Sequence, residues 1–300
     1  IVIDRNHAFT KVDGVLFKQM LKMLSLDFIC NYDSLILKDT KKINKLAFAL
    51  DMAVAGRSDE SVWIRQAQEI RRQMTDSLID SAFTYLPEGV KHDEIELIKR
   101  KLKRRRLELE AVASQYYRLL QRTPVVAGTN QSDYFLIERQ APDRTVLRIY
   151  DPETGDCRLE QQFSGKETKE LWLYGLAGND TFEVKGNTRK DFPIYLISGE
   201  GENQYQLNHN RKIHVYDKDY KYDYQKIKYH KISFTPWGIY DSDKGISLGT
   251  FFTYTMYGFK RAPFTYQHRI GYNYLKGFMY AGIFPNYDGR RRLYLNASIS

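Results

Sequence analysis

Residues 246–274 constrain this chain more than any other stretch. From 246 to 256 the even positions are Ile246, Leu248, Thr250, Phe252, Tyr254 and Met256, while the odd ones include Ser247, Gly249, Thr253 and Thr255. From 264 to 274 the even set is Phe264, Tyr266, His268, Ile270, Tyr272 and Tyr274, against Thr265, Gln267, Arg269, Gly271 and Asn273. A period of two belongs to extended strands and sends alternate side chains to opposite faces of a sheet. After a less regular segment, RRLYLNASIS alternates again through Leu293, Leu295, Ala297 and Ile299. This region is therefore expected to be a sheet with one apolar face.

What that face meets decides the fold. A soluble antiparallel sheet would set it against a helix, and a membrane barrel would set it against acyl chains. The strands reach about ten residues, long for a globular sheet and suited to a tilted bilayer crossing. Their other face carries Gly, Thr, Asn and Gln, the composition of a barrel lumen. Periodicity alone leaves both neighbours open. No run of about 18 apolar residues is present, so no transmembrane helix is expected; a barrel crosses with strands.

Upstream, three further zones are expected. Residues 1–38 combine a strand-like IVI, the segment DRNHAF and mixed apolar stretches. Residues 39–123 have helical spacing: Ile43, Leu46, Ala47, Leu50 and Val54 with a stop at Gly56, then Val62, Ala67, Ile70 and Met74, then an N-cap at Thr75 or Asp76 and a terminator at Pro87. The longest helix is expected over 93–121. Residues 124–235 read as short strands such as DYFLIERQ, TVLRIYD, ELWLYGL and PIYLI, separated by turns. Residues 236–300 are the alternating tail. The fold class is α+β: a helical subdomain, an antiparallel β-rich subdomain, and the first strands of an incomplete barrel.

Composition narrows partners only slightly. The 300 residues carry a net charge of +9, 23 Tyr and 16 Phe, and the mean hydropathy is −0.55. Excess Tyr suits surfaces with one dry and one wet side, and aromatic girdles of outer-membrane barrels. Two cysteines, Cys30 and Cys157, imply no disulfide framework. The run KRKLKRRR contributes Lys101, Lys103, Arg104, Arg105 and Arg106. No base-reading polar face accompanies it, so nucleic acid is not an expected partner. A solvated helix face or an anionic membrane surface remain.

Three motifs bear on chemistry. GLAGNDTFE and SGEGENQYQ align at a fixed offset and approximate the calcium-binding repeat of β-rolls, with Asp180 and Asn203 as equivalent ligands. Both copies are imperfect, so two separate strand–turn–strand units are expected rather than a stacked array, with calcium as the one cofactor the pattern admits. Asp4, with Asn6 and His7, could stabilise a turn or hold a metal. No Walker loop, nucleophile elbow or zinc-protease helix occurs. No catalytic residue is assigned.

The segment DSDKGISLGTFFTYTMYGFKRAPFTYQHRIGYNY resembles the first barrel strands of the bacterial surface-antigen family of BamA/TamA type, through Asp243, Gly245, Leu248, Gly249, Gly258, Phe259, Lys260, Arg261, Pro263, Phe264 and His268. DRNHAFTKVDG and ETKELWLYGLAGNDTFEVKG resemble two upstream elements of the same proteins, with Asn6, Ala177 and Asn179 departing from acidic or glycine positions. The resemblance implies an outer-membrane barrel, a periplasmic soluble part, outer-membrane lipid and other envelope proteins as partners, and a role in envelope assembly or transport. It also implies that Leu248, Phe252, Tyr254, Phe264, Tyr266, Ile270, Tyr272 and Tyr274 face lipid. The chain is then expected to be a piece of a longer protein, with residues 1–38 the end of an upstream domain and any phosphoesterase centre before Ile1. The alternatives are a scaffold region of a metallophosphoesterase, a divergent kinase-like enzyme, or a soluble anion-binding α+β module.

Overall fold

The computed structural model of the chain describes residues 12, 14–23, 26, 28–33, 36–86, 92–187, 189, 191–208, 212–217, 222–223, 230–242, 245–257, 264, 266–274, 277–285 and 292–299. The class is α+β, and the chain forms two compact units: Tyr32–Tyr224, and Ile1–Asn31 together with Gln225–Ser300.

In the first unit, helices precede strands. A 3-10 turn at Leu37–Asp39 leads into α2 (Thr40–Ile43), α3 (Phe48–Val54), α4 (Glu60–Gln73), α5 (Asp76–Ala82) and α6 (His92–Leu120). Thr75 caps α5, its Oγ1 accepting the Leu78 N–H over 3.1 Å. The apolar spacing from Ile43 to Val54 does not seat a single helix in the core as the period suggests. Residues 44–47 form a turn, and Ile43, Leu46, Leu50 and Val54 face outward while Phe48 and Met52 are buried. Phe48 and Met52, four apart, are the pair that packs, so the stripe of higher count lies on the opposite side of α3. α6 packs on α4, where Trp63 meets Tyr116 edge-on at 5.8 Å.

Among the described residues nine strands follow: β1 (Val125–Ala127), β2 (Tyr134–Gln140), β3 (Arg144–Tyr150), β4 (Cys157–Ser164), β5 (Leu171–Tyr174), β6 (Thr181–Gly186), β7 (Ile194–Gly199), β8 (Gln204–Leu207) and β9 (Ile213–Asp217). They form two sheets, ordered β1-β5-β7-β9 and β4-β3-β2-β6-β8. The antiparallel expectation for this region is corrected in detail. Among the described residues, only the β2–β3 and β3–β4 pairings are antiparallel; β1–β5, β5–β7, β7–β9, β2–β6 and β6–β8 are parallel. Each strand–turn–strand unit repeats the path of the one before it, so equivalent strands run the same way. The β3–β4 hairpin is an excursion from this roll.

Register keeps equivalent residues in line down the roll. Phe135 pairs with Phe182, and Phe182 with Tyr205. Their rings stack at 4.6 and 5.6 Å. Leu171, Leu173, Ile194 and Leu196 from the other sheet close the same core. Each fully buried side chain of this size contributes roughly 1.5–3 kcal/mol.

In the second unit, α1 (Val15–Met23) packs against a five-stranded sheet in the order β10-β11-β12-β13-β14, made of β10 (Lys231–Asp241), β11 (Gly245–Met256), β12 (Tyr266–Asn273), β13 (Gly277–Pro285) and β14 (Arg292–Ile299). Every pairing is antiparallel between sequence neighbours. The Val12 N–H donates to Asn31 Oδ1, tying the flanks of α1 together.

Candidate membrane-facing surface

The five-stranded sheet is inside out by the standard of a water-soluble protein. Register lines up Phe234, Phe252, Ile270 and Tyr280 in one cross-strand row, and Thr250, Tyr272 and Phe278 in the next. Phe252 and Ile270 are each 54% exposed, and Tyr274 is 75% exposed. Leu248, Tyr272 and Phe278 are exposed on the same face, while Tyr254, Phe264 and Tyr266 are half-buried. Phe234 meets Phe252 at 5.0 Å and Tyr272 meets Phe278 at 5.0 Å, so the surface is a packed aromatic field.

The polar face is the covered one. Ser247, Thr253, Thr255 and Asn273 are buried, Asn273 completely. They satisfy one another: Ser247 Oγ donates to Asn273 Oδ1 at 2.8 Å, and Gln267 Nε2 donates to Thr255 Oγ1 at 2.8 Å. Arg269 Nε reaches Thr253 Oγ1 at 3.3 Å, and its guanidinium lies 5.4 Å from the Phe251 ring centre. Trp237 and Phe251 stack at 5.5 Å on this face. Two glycines make room for them: a Cβ on Gly249 would sit 2.7 Å from Trp237, and one on Gly271 would sit 2.4 Å from Phe251.

The surface extends past the residues named from sequence. Ile232, Phe234 and Tyr240 of β10 and Phe278 of β13 are exposed on the same side. Their signal was present, since KISFTPWGIYD has apolar residues at alternate positions, but Pro236 and Gly238 interrupt it. Register also pairs Leu293, Leu295, Ala297 and Ile299 with Phe284, Gly282, Tyr280 and Phe278, so the final alternation is in phase. Among the described residues, no helix is long and apolar enough to cross a membrane.

The other candidate residues fall elsewhere. The repeats do stack, correcting the expectation of separate units. The Asp133 N–H donates to Asp180 Oδ1 at 2.9 Å, and the Asp180 N–H donates to Asn203 Oδ1 at 2.9 Å. Asp133 ends a third copy, GTNQSD at 128–133, that the sequence reading missed because it shares only Gly and Asp with GLAGND. The ladder uses the side-chain oxygens as acceptors for backbone N–H groups. Asp133 itself forms an ion pair with Arg158, 2.8 Å away. Asp180 is fully buried with Oδ2 outside any hydrogen bond. Burial pushes its carboxyl up to about 7 from 3.8, and the nearby Asp133 charge adds to this against the Asp133 N–H bond. Among the described residues no group of three or more His, Cys, Asp or Glu is placed to hold a metal. Asp4 lies outside the described residues.

Of the five cations named from sequence in the α6 run, four have intramolecular partners among the described residues. Lys101 donates to the Tyr32 carbonyl at 2.6 Å, Lys103 pairs with Asp80 at 2.8 Å, and Arg106 reaches the Met74 carbonyl at 2.7 Å and Asp76 at 2.9 Å. Arg105 donates to the Asp33 carbonyl at 2.5 Å and lies 3.8 Å over the Tyr32 ring. Arg104 is exposed. No family model, curated protein or solved structure matches the chain.

Proposed function

We propose that residues 230–300 are the opening strands of an outer-membrane barrel of BamA/TamA type, and that the chain acts in envelope assembly or transport. Residues 32–224 are its soluble part, on the periplasmic side. One observation carries the reading: the C-terminal sheet exposes Leu248, Phe252, Ile270, Tyr272 and Tyr274 while it buries Thr253, Thr255 and Asn273. In water this arrangement leaves a large apolar surface wet and hides groups that water would solvate. In a bilayer both halves are favourable, because acyl chains meet the rings and a polar lumen lies behind them. The sequential antiparallel order of the strands suits a barrel wall, in which closure removes unpaired edges. The resemblance in DSDKGISLGTFFTYTMYGFKRAPF points the same way.

The test is fractionation of the protein expressed from its natural open reading frame. It should sediment with outer membranes, resist alkaline carbonate extraction, and migrate faster on a gel when unheated. Recovery in the soluble periplasmic or cytosolic fraction would remove the reading.

A further inference from the structure

We propose that the α2–α3 segment, residues 40–54, docks the soluble unit on an anionic phospholipid surface. The inference stands on this unit alone and does not require the C-terminal sheet to be a barrel.

The apolar stripe of this segment points outward, and on α3 no polar residue shares its exposed side. Phe48 and Met52 are buried, whereas Leu50 is 53% and Val54 70% exposed. Ala47, whose carbonyl accepts the Asp51 N–H at 2.8 Å, is exposed in the same turn. At about 100° per residue, Ala47, Leu50 and Val54 fall within an arc of roughly 60°, and Phe48 and Met52 lie nearly opposite. The one polar residue of α3, Asp51, is half-buried, and its Oδ2 accepts the Tyr116 hydroxyl at 2.6 Å. A surface helix ordinarily turns polar groups to water on the side away from its core. α3 is apolar on both sides. Leu46, in the turn before it, is 72% exposed, and Ile43 at the end of α2 is also exposed. Such a ridge calls for a cover.

Charge identifies the cover. Every exposed residue from 36 to 58 is apolar or cationic. Lys38, Lys41 and Lys42 precede the ridge, and Arg57, whose Nη2 donates to the Ala127 carbonyl at 3.0 Å, follows it one turn past Val54. The nearby carboxylates are engaged. Asp39 is half-buried against Lys42 at 2.7 Å, Asp51 is held by Tyr116, and Glu108 of α6 accepts the Ile36 N–H at 2.9 Å. The next exposed acid along the chain is Asp59, the N-cap of α4. Exposed pairs such as Lys38 with Asp33 at 3.0 Å hold little energy, so these ammonium groups turn to a phosphate at little loss. An apolar ridge with cations at both ends is the pattern of an interfacial helix: the ridge enters the acyl boundary and the cations meet phosphates. Leu46 and Val54 protrude, and a fluid interface moulds to them without a preformed groove.

The experiment labels the whole chain, with Cys30→Ser and Cys157→Ser, at one introduced cysteine: Ala47→Cys, Val54→Cys, Glu153→Cys or Phe252→Cys. Each carries an environment-sensitive fluorophore and is reconstituted with brominated-chain vesicles of phosphatidylethanolamine–phosphatidylglycerol or of phosphatidylethanolamine–phosphatidylcholine. In the anionic vesicles the labels at 47 and 54 should lose at least half their emission to bromine. The exposed control at 153 should be quenched by aqueous iodide instead. Bromine quenching at 47 and 54 should fall severalfold without phosphatidylglycerol. Adding Leu50→Glu, which leaves Phe48 and Met52 in place, should lower it similarly in the anionic vesicles; unchanged quenching overturns the ridge. Iodide quenching at 47 and 54 in the anionic vesicles overturns the docking surface. Shielding of both labels from both quenchers does the same, since protein then covers the ridge. Equal bromine quenching in the two vesicle types overturns the role of the cations, and the anionic surface with it. The label at 252 reads the barrel separately. Bromine quenching there and not at 47 and 54 overturns this inference and leaves the barrel standing; quenching at 47 and 54 alone supports this inference and counts against the barrel.

Discussion

The Asp180 N–H donates to Asn203 Oδ1 over 2.9 Å, across the 23 residues that separate equivalent positions of the two turns. The same bond recurs one level up, from the Asp133 N–H to Asp180 Oδ1. A side-chain oxygen thus caps the turn of the neighbouring level, and the roll is pinned at its corners as well as along its strands. An amide serves at one level and a carboxyl at the other. Only the carboxyl brings a charge into a site without exposure, so Asp180 is the level at which the ladder responds to protons.

Asp180→Asn keeps the acceptor for the Asp133 N–H and removes the ionisation. The folded carboxyl is raised to about 7 from 3.8, so folding favours the protonated form. Its stabilising contribution is complete below 3.8, declines as pH rises toward 7, and is gone above that value. Denaturant midpoints of parent and variant should therefore converge at pH 4 and diverge by pH 8, where the variant is the more stable by roughly 1–3 kcal/mol. Equal midpoints at pH 8 would mean the carboxylate is solvated there.

The turns also differ in backbone strain. Leu176 has φ +82°, where its equivalent one level down, Gly199, has φ +79°. Leu176→Gly should cost little, because the relief of a left-handed non-glycine residue offsets the loss of its half-buried side chain. Gly201→Ala should be severe: φ is +118° and the added Cβ would lie 1.9 Å from the Gly178 carbonyl oxygen. A drop of about 2–4 kcal/mol in chemical unfolding is expected, against less than about 1 kcal/mol for Leu176→Gly. Similar losses for the two would show that the turn tolerates a side chain at either place.

The apolar face of the C-terminal sheet was legible because a period of two has one structural meaning. Phe252 and Ile270 needed no tertiary knowledge to be placed together. The parallel roll was not legible on that ground, since parallel and antiparallel strands share the same alternation. What separates them is which strand follows the turn, and GTNQSD is too unlike GLAGND for its kinship to be seen. The stripe from Ile43 to Val54 misled for a related reason: helical spacing says that side chains share a face, and Phe48 and Met52 decide which face is inside. The cations of α6 carried no mark in sequence of Asp33, Asp76 or Asp80, their partners from other segments.

Those partners separate two roles for the basic run. Arg106 is mostly buried and holds both Asp76 and the Met74 carbonyl. Arg106→Glu should lower stability by about 2–3 kcal/mol through loss of both contacts and repulsion from Asp76. Arg104→Glu, at an exposed position, should change it by less than about 0.5 kcal/mol. Binding of the folded Arg104→Glu protein to anionic vesicles should match the parent; a clear loss would support a surface-binding role for α6.

The two faces of the C-terminal sheet make opposite predictions in lipid and in water, so one substitution distinguishes them. Phe252 is an exposed ring bonded to nothing polar, in a cross-strand row with Phe234 and Ile270. In water, Phe252→Lys replaces a wet aromatic by a solvated cation and should improve solubility at little cost. In a bilayer it places an ammonium against hydrocarbon, costing about 2–4 kcal/mol near the midplane and less toward the headgroups. Gln267→Lys on the opposite face starts from a half-buried polar side chain bonded to Thr255 and should be nearly neutral toward a wet lumen. Unfolding of the full-length protein in vesicles should therefore show a loss for Phe252→Lys several times that for Gln267→Lys. The reverse order would put the polar face against a dry core and the aromatic face in water, and lipid would no longer be the reason for the alternation.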